Sequence, residues 1–214
     1  MPVQLRASGF GLRVVGELNV SIGDGAITAT SAANYLPRNL ATDSLGSLFG
    51  TNLATESKAA ESLPLPTTLA GSSAFIKDIL GNEHLAKMLY ASPTQINFQM
   101  PANLPAGAAT IYAVSNGNIH ASGTMNVTKI NPGIFSADAT GQGLAAAVVQ
   151  RVKSTSEQTY ENIVRYDAAL NRFVAIPIDV SDPNEQVFLA LFGTWPARSQ
   201  FARQCQRDGW KYEC

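Results

Sequence analysis

Residues 92–107 read SPTQINFQMPANLPAG. Ile96, Phe98 and Met100 fall on one parity; Gln95, Asn97 and Gln99 fall on the other. Side chains alternate across a strand, so this run predicts a strand with one apolar face and one amide face. Pro93, Pro101 and Pro105 cannot donate to a ladder and fence that strand on both sides. A chain punctuated in this way is confined to short elements, and the same punctuation recurs along its length.

SLGSLFGTNLA at 44–54 predicts a buried strand ending at Gly50. The loop SKAAESLPLP follows. In residues 73–90, Phe75, Ile76, Ile79, Leu80, Leu85, Met88 and Leu89 also fit a helical stripe, but Gly81-Asn82 in their midst is turn chemistry. The local pattern leaves helix and hairpin open. GAATIYAVSNGN closes on an Asn-Gly turn, and ASGTMNVTKI is its return strand. Asn131-Pro132-Gly133 marks a boundary. Beyond it, GLAAAVVQRV, ENIVRYD, RFVAIPIDV and QVFLALFGT are strand-like, with YDAALNRF as a hairpin loop. Residues 1–30 predict at most one or two weakly anchored strands around a turn at Gly23-Asp24-Gly25. Many short strands with regular turns imply an all-β sandwich or barrel. The expected core includes Phe49, Ile96, Phe98, Met100, Ile111 and Val127.

LGSLFGTNLA at 45–54 and FLALFGTWPA at 188–197 share an apolar-Phe-Gly-Thr centre, an internal repeat. About 75 residues of strand pattern follow the first copy, up to Lys129, and 20 residues follow Thr194. The second unit is therefore expected to be incomplete.

Charged residues make up 14% of the 214, against ~25% in an average soluble domain, and the net charge is -1. Neither a nucleic-acid-binding stripe nor a membrane span is evident. The first twenty residues lack the apolar core of a signal peptide. The only cysteines, Cys205 and Cys214, lie in the last ten residues and cannot staple the body of the chain.

His84 and His120 are the only histidines, and neither sits in a nucleophile or zinc motif; both are expected at turns or on the surface. GFG at 9–11 and GQG at 141–143 open no dinucleotide-binding unit and are expected to be turns. Asp179, Asp182 and Glu185 have the chemistry of a calcium clamp but not an EF-hand spacing, so a solvated turn is expected. Catalytic, cofactor and metal residues are therefore all expected to be none. Gln95, Asn97 and Gln99 could recognise a sugar, with Tyr90 and Tyr112 as ring platforms. The simpler expectation is the wet face of an antiparallel sheet.

SAANY at 31–35, LFGTNLA at 48–54, LPTTLAG at 65–71, YASPTQINFQMP at 90–101, LPAGAATIYAVSNG at 104–117 and NPGIFSADATGQGLAAA at 131–147 occur in order. Together they resemble an uncharacterised family of bacterial extracellular repeat domains, found at the C-termini of large secreted acidobacterial proteins. The resemblance spans residues 31–194. It implies an immunoglobulin-like β-sandwich in tandem units on an exported chain, makes 73–90 strand-turn-strand, and brings no known ligand or catalytic residue. On it the chain divides into a weakly structured segment (1–30), an immunoglobulin-like sandwich (31–131), an incomplete second β unit (132–194) and an atypical tail (195–214).

The tail departs from the resemblance and carries Trp195 and Trp210 with both cysteines. A one-base shift at the Trp195 codon permits a Gly-Leu-Arg-Gly continuation and a further alternating strand. The tail is accordingly read as a frame-shifted product, and the chain as a piece of a larger exported protein. The expected role is a non-catalytic extracellular module for spacing, adhesion or assembly, meeting a polysaccharide or protein partner at the cell surface. The alternative is a carbohydrate-binding accessory module of an exported hydrolase. A small hydrolase would need a His-carboxylate-nucleophile cluster, for which no motif is present.

Overall fold

The computed structural model describes residues 25–194 and the backbone of 206–208 and 211–213. Strands expected before Gly25, most of the Gly23–Gly25 turn, the packing of the tail, and Trp195, Cys205, Trp210 and Cys214 lie outside the described residues.

Eleven strands come first: β1 (Gly25–Ala26), β2 (Thr28–Ser31), β3 (Asn39–Ala41), β4 (Leu45–Phe49), β5 (Lys58–Ala59), β6 (Ser72–Lys77), β7 (Glu83–Leu85), β8 (Lys87–Ala91), β9 (Gln95–Gln99), β10 (Gly107–Ser115) and β11 (Asn118–Thr128). They form a sandwich. One sheet runs β1-β11-β10-β6-β7, with β3 also on β11; the other runs β2-β4-β9-β8-β5. No helix among the described residues is long and apolar enough to cross a membrane.

The alternation in β9 sets the core. Ile96, Phe98 and Met100 are buried, facing a layer that includes Ile76, Ile111 and Val127 of the other sheet. Within β4 the register places Leu48 opposite Ile96, Gly46 opposite Phe98 and Phe49 opposite Gln95. Phe49 is therefore not core, contrary to expectation. It shares the outer face with Gln95 and is only half-buried, with the Tyr35 ring edge-on 5.9 Å away. Leu48 and Phe49 are adjacent and cannot both point inward, and the inner place goes to Leu48.

The 73–90 stretch, left open by its local pattern, is strand-turn-strand around Gly81-Asn82 and holds a third strand. After β6 and β7 the chain crosses at Ala86 and joins the opposite sheet as β8. The Asn-Gly hairpin between β10 and β11 also forms, with Asn116 and Gly117 both at positive φ. Residues 25–30 are better anchored than expected. Ile27 and Ala29 are core, because β1 pairs in parallel with β11 and Gly123 makes room for the passing chain. A Cβ on Gly123 would lie 2.2 Å from the Ile27 carbonyl oxygen.

Beyond Thr128 come β12 (Gly133–Ile134), β13 (Ala147–Lys153), β14 (Gln158–Asn162), β15 (Val164–Asp167), β16 (Arg172–Ala175), β17 (Glu185–Leu191) and β18 (Gly193–Thr194), then β19 (Gln206–Asp208) and β20 (Lys211–Glu213). The sheets here are β14-β13-β17, β15-β16, β12-β18 and β19-β20. ENIVRYD is not one strand; Ile163 divides it into the end of β14 and β15. RFVAIPIDV is strand only as far as Ala175, before Pro177. The YDAALNRF hairpin is as expected. Arg151 ties three strands together, reaching Glu161 of β14 at 2.7 Å and Glu185 of β17 at 3.3 Å.

Candidate cleft on the amide face

The outer face of β4 and β9 carries Ser47, Gln95 and Asn97. It is not simply wet. Ser47 is buried, and Gln95, Asn97 and Gln99 are each half-buried. The amides bond first to one another. Ser47 Oγ donates to Asn97 Oδ1 at 2.9 Å, and Gln95 Nε2 donates to the same oxygen at 2.8 Å. Two donors on one carbonyl oxygen fix the orientation of the Asn97 amide.

Two segments remote in sequence meet this face. The first is the turn after β2. Tyr35 N–H donates to Ser31 O at 3.0 Å, Leu36 N–H to Asn34 Oδ1 at 3.0 Å, and Tyr35 takes a φ of 55°. The left-handed region is uncommon for a bulky residue, and here the turn enforces it. The second segment is 133–139, placed by the pairing of β12 with β18 and by Phe135 N–H donating to Phe192 O. Tyr35 Oη donates to Ala139 O at 3.3 Å, and Asn131 Nδ2 donates to Asn39 O at 2.6 Å. Between the segments lies a cleft of about 290 Å³, lined among others by Tyr35, Ser47, Gln95, Asn97, Phe135 and Ser136. None of its lining residues is charged.

Of the two tyrosines named from sequence, Tyr90 neighbours the amides and Tyr112 does not. Tyr112 belongs to the opposite sheet and stacks on Phe75 at 4.7 Å between centroids. Tyr90 lies opposite Asn97 in register but outside the cleft lining, and hydrogen bonds from Ser57 and Ser92 hold its phenol below the ordinary value. The tyrosine in the cleft lining is Tyr35, which sequence reasoning missed. Its only signal was its place in SAANY, 62 residues from Asn97, with no local pattern linking the two.

Both histidines are part-exposed, on strands rather than in turns. His84 lies in β7, with Nε2 2.8 Å from Asp78 Oδ2, and His120 is half-buried in β11. Burial pushes the Asp78 carboxyl up, but hydrogen bonds from His84, Asn82 and Leu80 outweigh that and hold it below the ordinary carboxylate value. The acidic residues at 179–185 do not converge. Asp179 accepts from Ser181 N–H, Asp182 accepts from Asn184 N–H, and Glu185 pairs with Arg151. Among the described residues no three His, Cys, Asp or Glu side chains gather as a metal centre would require.

Comparison with known protein families, with curated proteins and with solved structures finds no match to this chain.

Proposed function

We propose that this chain is a non-catalytic, immunoglobulin-like β-sandwich module of a larger exported protein, acting as a spacer or assembly unit at the cell surface. The observation that carries the reading is the use made of the amide face. Ser47, Gln95 and Asn97 are bonded among themselves and line one cleft with Phe135, Ser136 and Ala139 of the following unit. Tyr35 to Ala139 and Asn131 to Asn39 link the same two parts. An amide stripe bonded to itself and walled by the next unit, with these two links beside it, supports the arrangement a tandem spacer needs. The recurrence of Leu-Phe-Gly-Thr in both units supports tandem organisation.

A second reading rests on one feature of the same cleft. Tyr35, 37% exposed, lines the cleft together with Asn97 and Gln95, a ring and amides in one cavity, the chemistry a neutral sugar asks for. Retention of the full chain on insoluble cellulose, chitin and xylan separates the two. The spacer reading expects no retention. Retention abolished by Tyr35→Ala, in a protein whose melting temperature is otherwise kept, would replace it with the carbohydrate-binding reading.

A further inference from the structure

Leu-Phe-Gly-Thr stands at 48–51, where β4 ends, and at 191–194, where β17 passes into β18. The two strands have opposite fates. β4 is an interior strand, with β2 on one edge and β9 on the other. β17 has β13 on one edge and, among the described residues, no strand on the other. Leu48 is fully buried, whereas Leu191 is 41% exposed; Phe49 is half-buried, whereas Phe192 is 52% exposed. Leu189, which takes the place of Gly46, is 51% exposed.

The free edge has a defined polarity. Phe192 N–H donates to Ala146 O on the β13 side. Alternation along the strand then turns the N–H groups of Val187, Leu189 and Leu191 away from β13. Natural sheets guard such an edge with charges, prolines or bulges. Gln186–Leu191 carries no charge and no proline, and its pairing with β13 runs without a register break.

We propose that the open edge of β17 takes an antiparallel strand from another polypeptide, with the chemistry that β9 supplies to β4: uncharged, apolar at every second position and amide between. In the β4–β9 register Ile96 lies beside Leu48 and Phe98 beside Gly46. The incoming strand sets its apolar residues beside Leu191 and Leu189, the second without the space that Gly46 leaves for Phe98. Backbone hydrogen bonds provide the affinity and the alternate side chains the selectivity. An edge without charge matches a strand without charge.

The probe is a synthetic peptide of residues 92–101, SPTQINFQMP, added to the full chain, with amide hydrogen exchange read by NMR. Saturable protection of the Val187, Leu189 and Leu191 amides, by roughly tenfold or more, is expected. A peptide carrying Ile96→Asp and Phe98→Asp should give none. Leu189→Pro removes one outward donor and should abolish the protection; unchanged exchange in β6 and β10 verifies that this variant is folded. Absence of protection at millimolar peptide would overturn the proposal. So would protection in the free protein that rises with protein concentration, which would give the edge to a second copy of the chain.

Discussion

Gly46 lies directly opposite Phe98 across β4 and β9, and a Cβ on Gly46 would come within 2.7 Å of Phe98 Cζ. The glycine is the space into which the largest core side chain of β9 fits. Phe98→Ala should cost about 3–5 kcal/mol, since it empties a fully buried site. Gly46→Ala should cost about 1–3 kcal/mol by crowding the ring. The double variant should cost less than the sum by at least ~0.5 kcal/mol, because the added methyl enters the vacated space. Urea denaturation of the four proteins measures this. Additive costs would mean that the two residues do not share one cavity.

Asp78 makes stability acid-sensitive. Its folded carboxyl sits below its ordinary value of 3.8, held there by His84, Asn82 and the Leu80 N–H after burial has pushed the other way. A depressed carboxylate stabilises the fold fully above its unfolded value. That contribution falls away as pH drops from about 5 through the lower folded value, where the unfolded chain binds more protons than the folded one. Melting temperatures measured between pH 2 and 7 should fall more steeply on the acid side for the native chain than for Asp78→Asn. Parallel curves would remove Asp78 from the account.

The hairpin between β10 and β11 turns on Gly117, whose φ is 80° and whose missing side chain would meet only open space. Gly117→Ala should therefore cost about 1–2 kcal/mol through backbone conformation alone. A neutral effect in thermal denaturation would show that the turn relaxes without loss.

Asn131 donates to Asn39 O at the junction of the two parts of the chain. Asn131→Ala should cost about 0.5–1.5 kcal/mol and speed amide exchange in residues 133–146 more than in β6 or β10. Equal change in both regions would indicate a global effect.

The β9 alternation, its proline fence and the Asn-Gly hairpin were readable from sequence because each is set by residues within a few positions. The inward choice of Leu48 over Phe49 was not, since it depends on Gly46 facing Phe98 from another strand. The sheet switch at Ala86 was hidden because β7 and β8 keep the period of strands on either side of it. The cleft was half readable. The amides and their neighbour Tyr90 were found, but the entry of Tyr35 into the cleft follows from topology. Period-two patterning cannot tell which sheet Tyr112 joins, and nothing local brings Tyr35 to Asn97.

The central claim is that residues 133–139 wall a cleft over the amide face of the first sandwich. Nuclear Overhauser contacts from the Phe135 ring to Ser47, Asn97 and Tyr35, recorded on the isotope-labelled full chain, test it most directly. The account predicts those contacts, together with a slowly exchanging Gln95 side-chain amide, whose Nε2 donates to Asn97 Oδ1. Their absence, with a Gln95 side-chain amide exchanging as freely as that of an exposed glutamine, would contradict it.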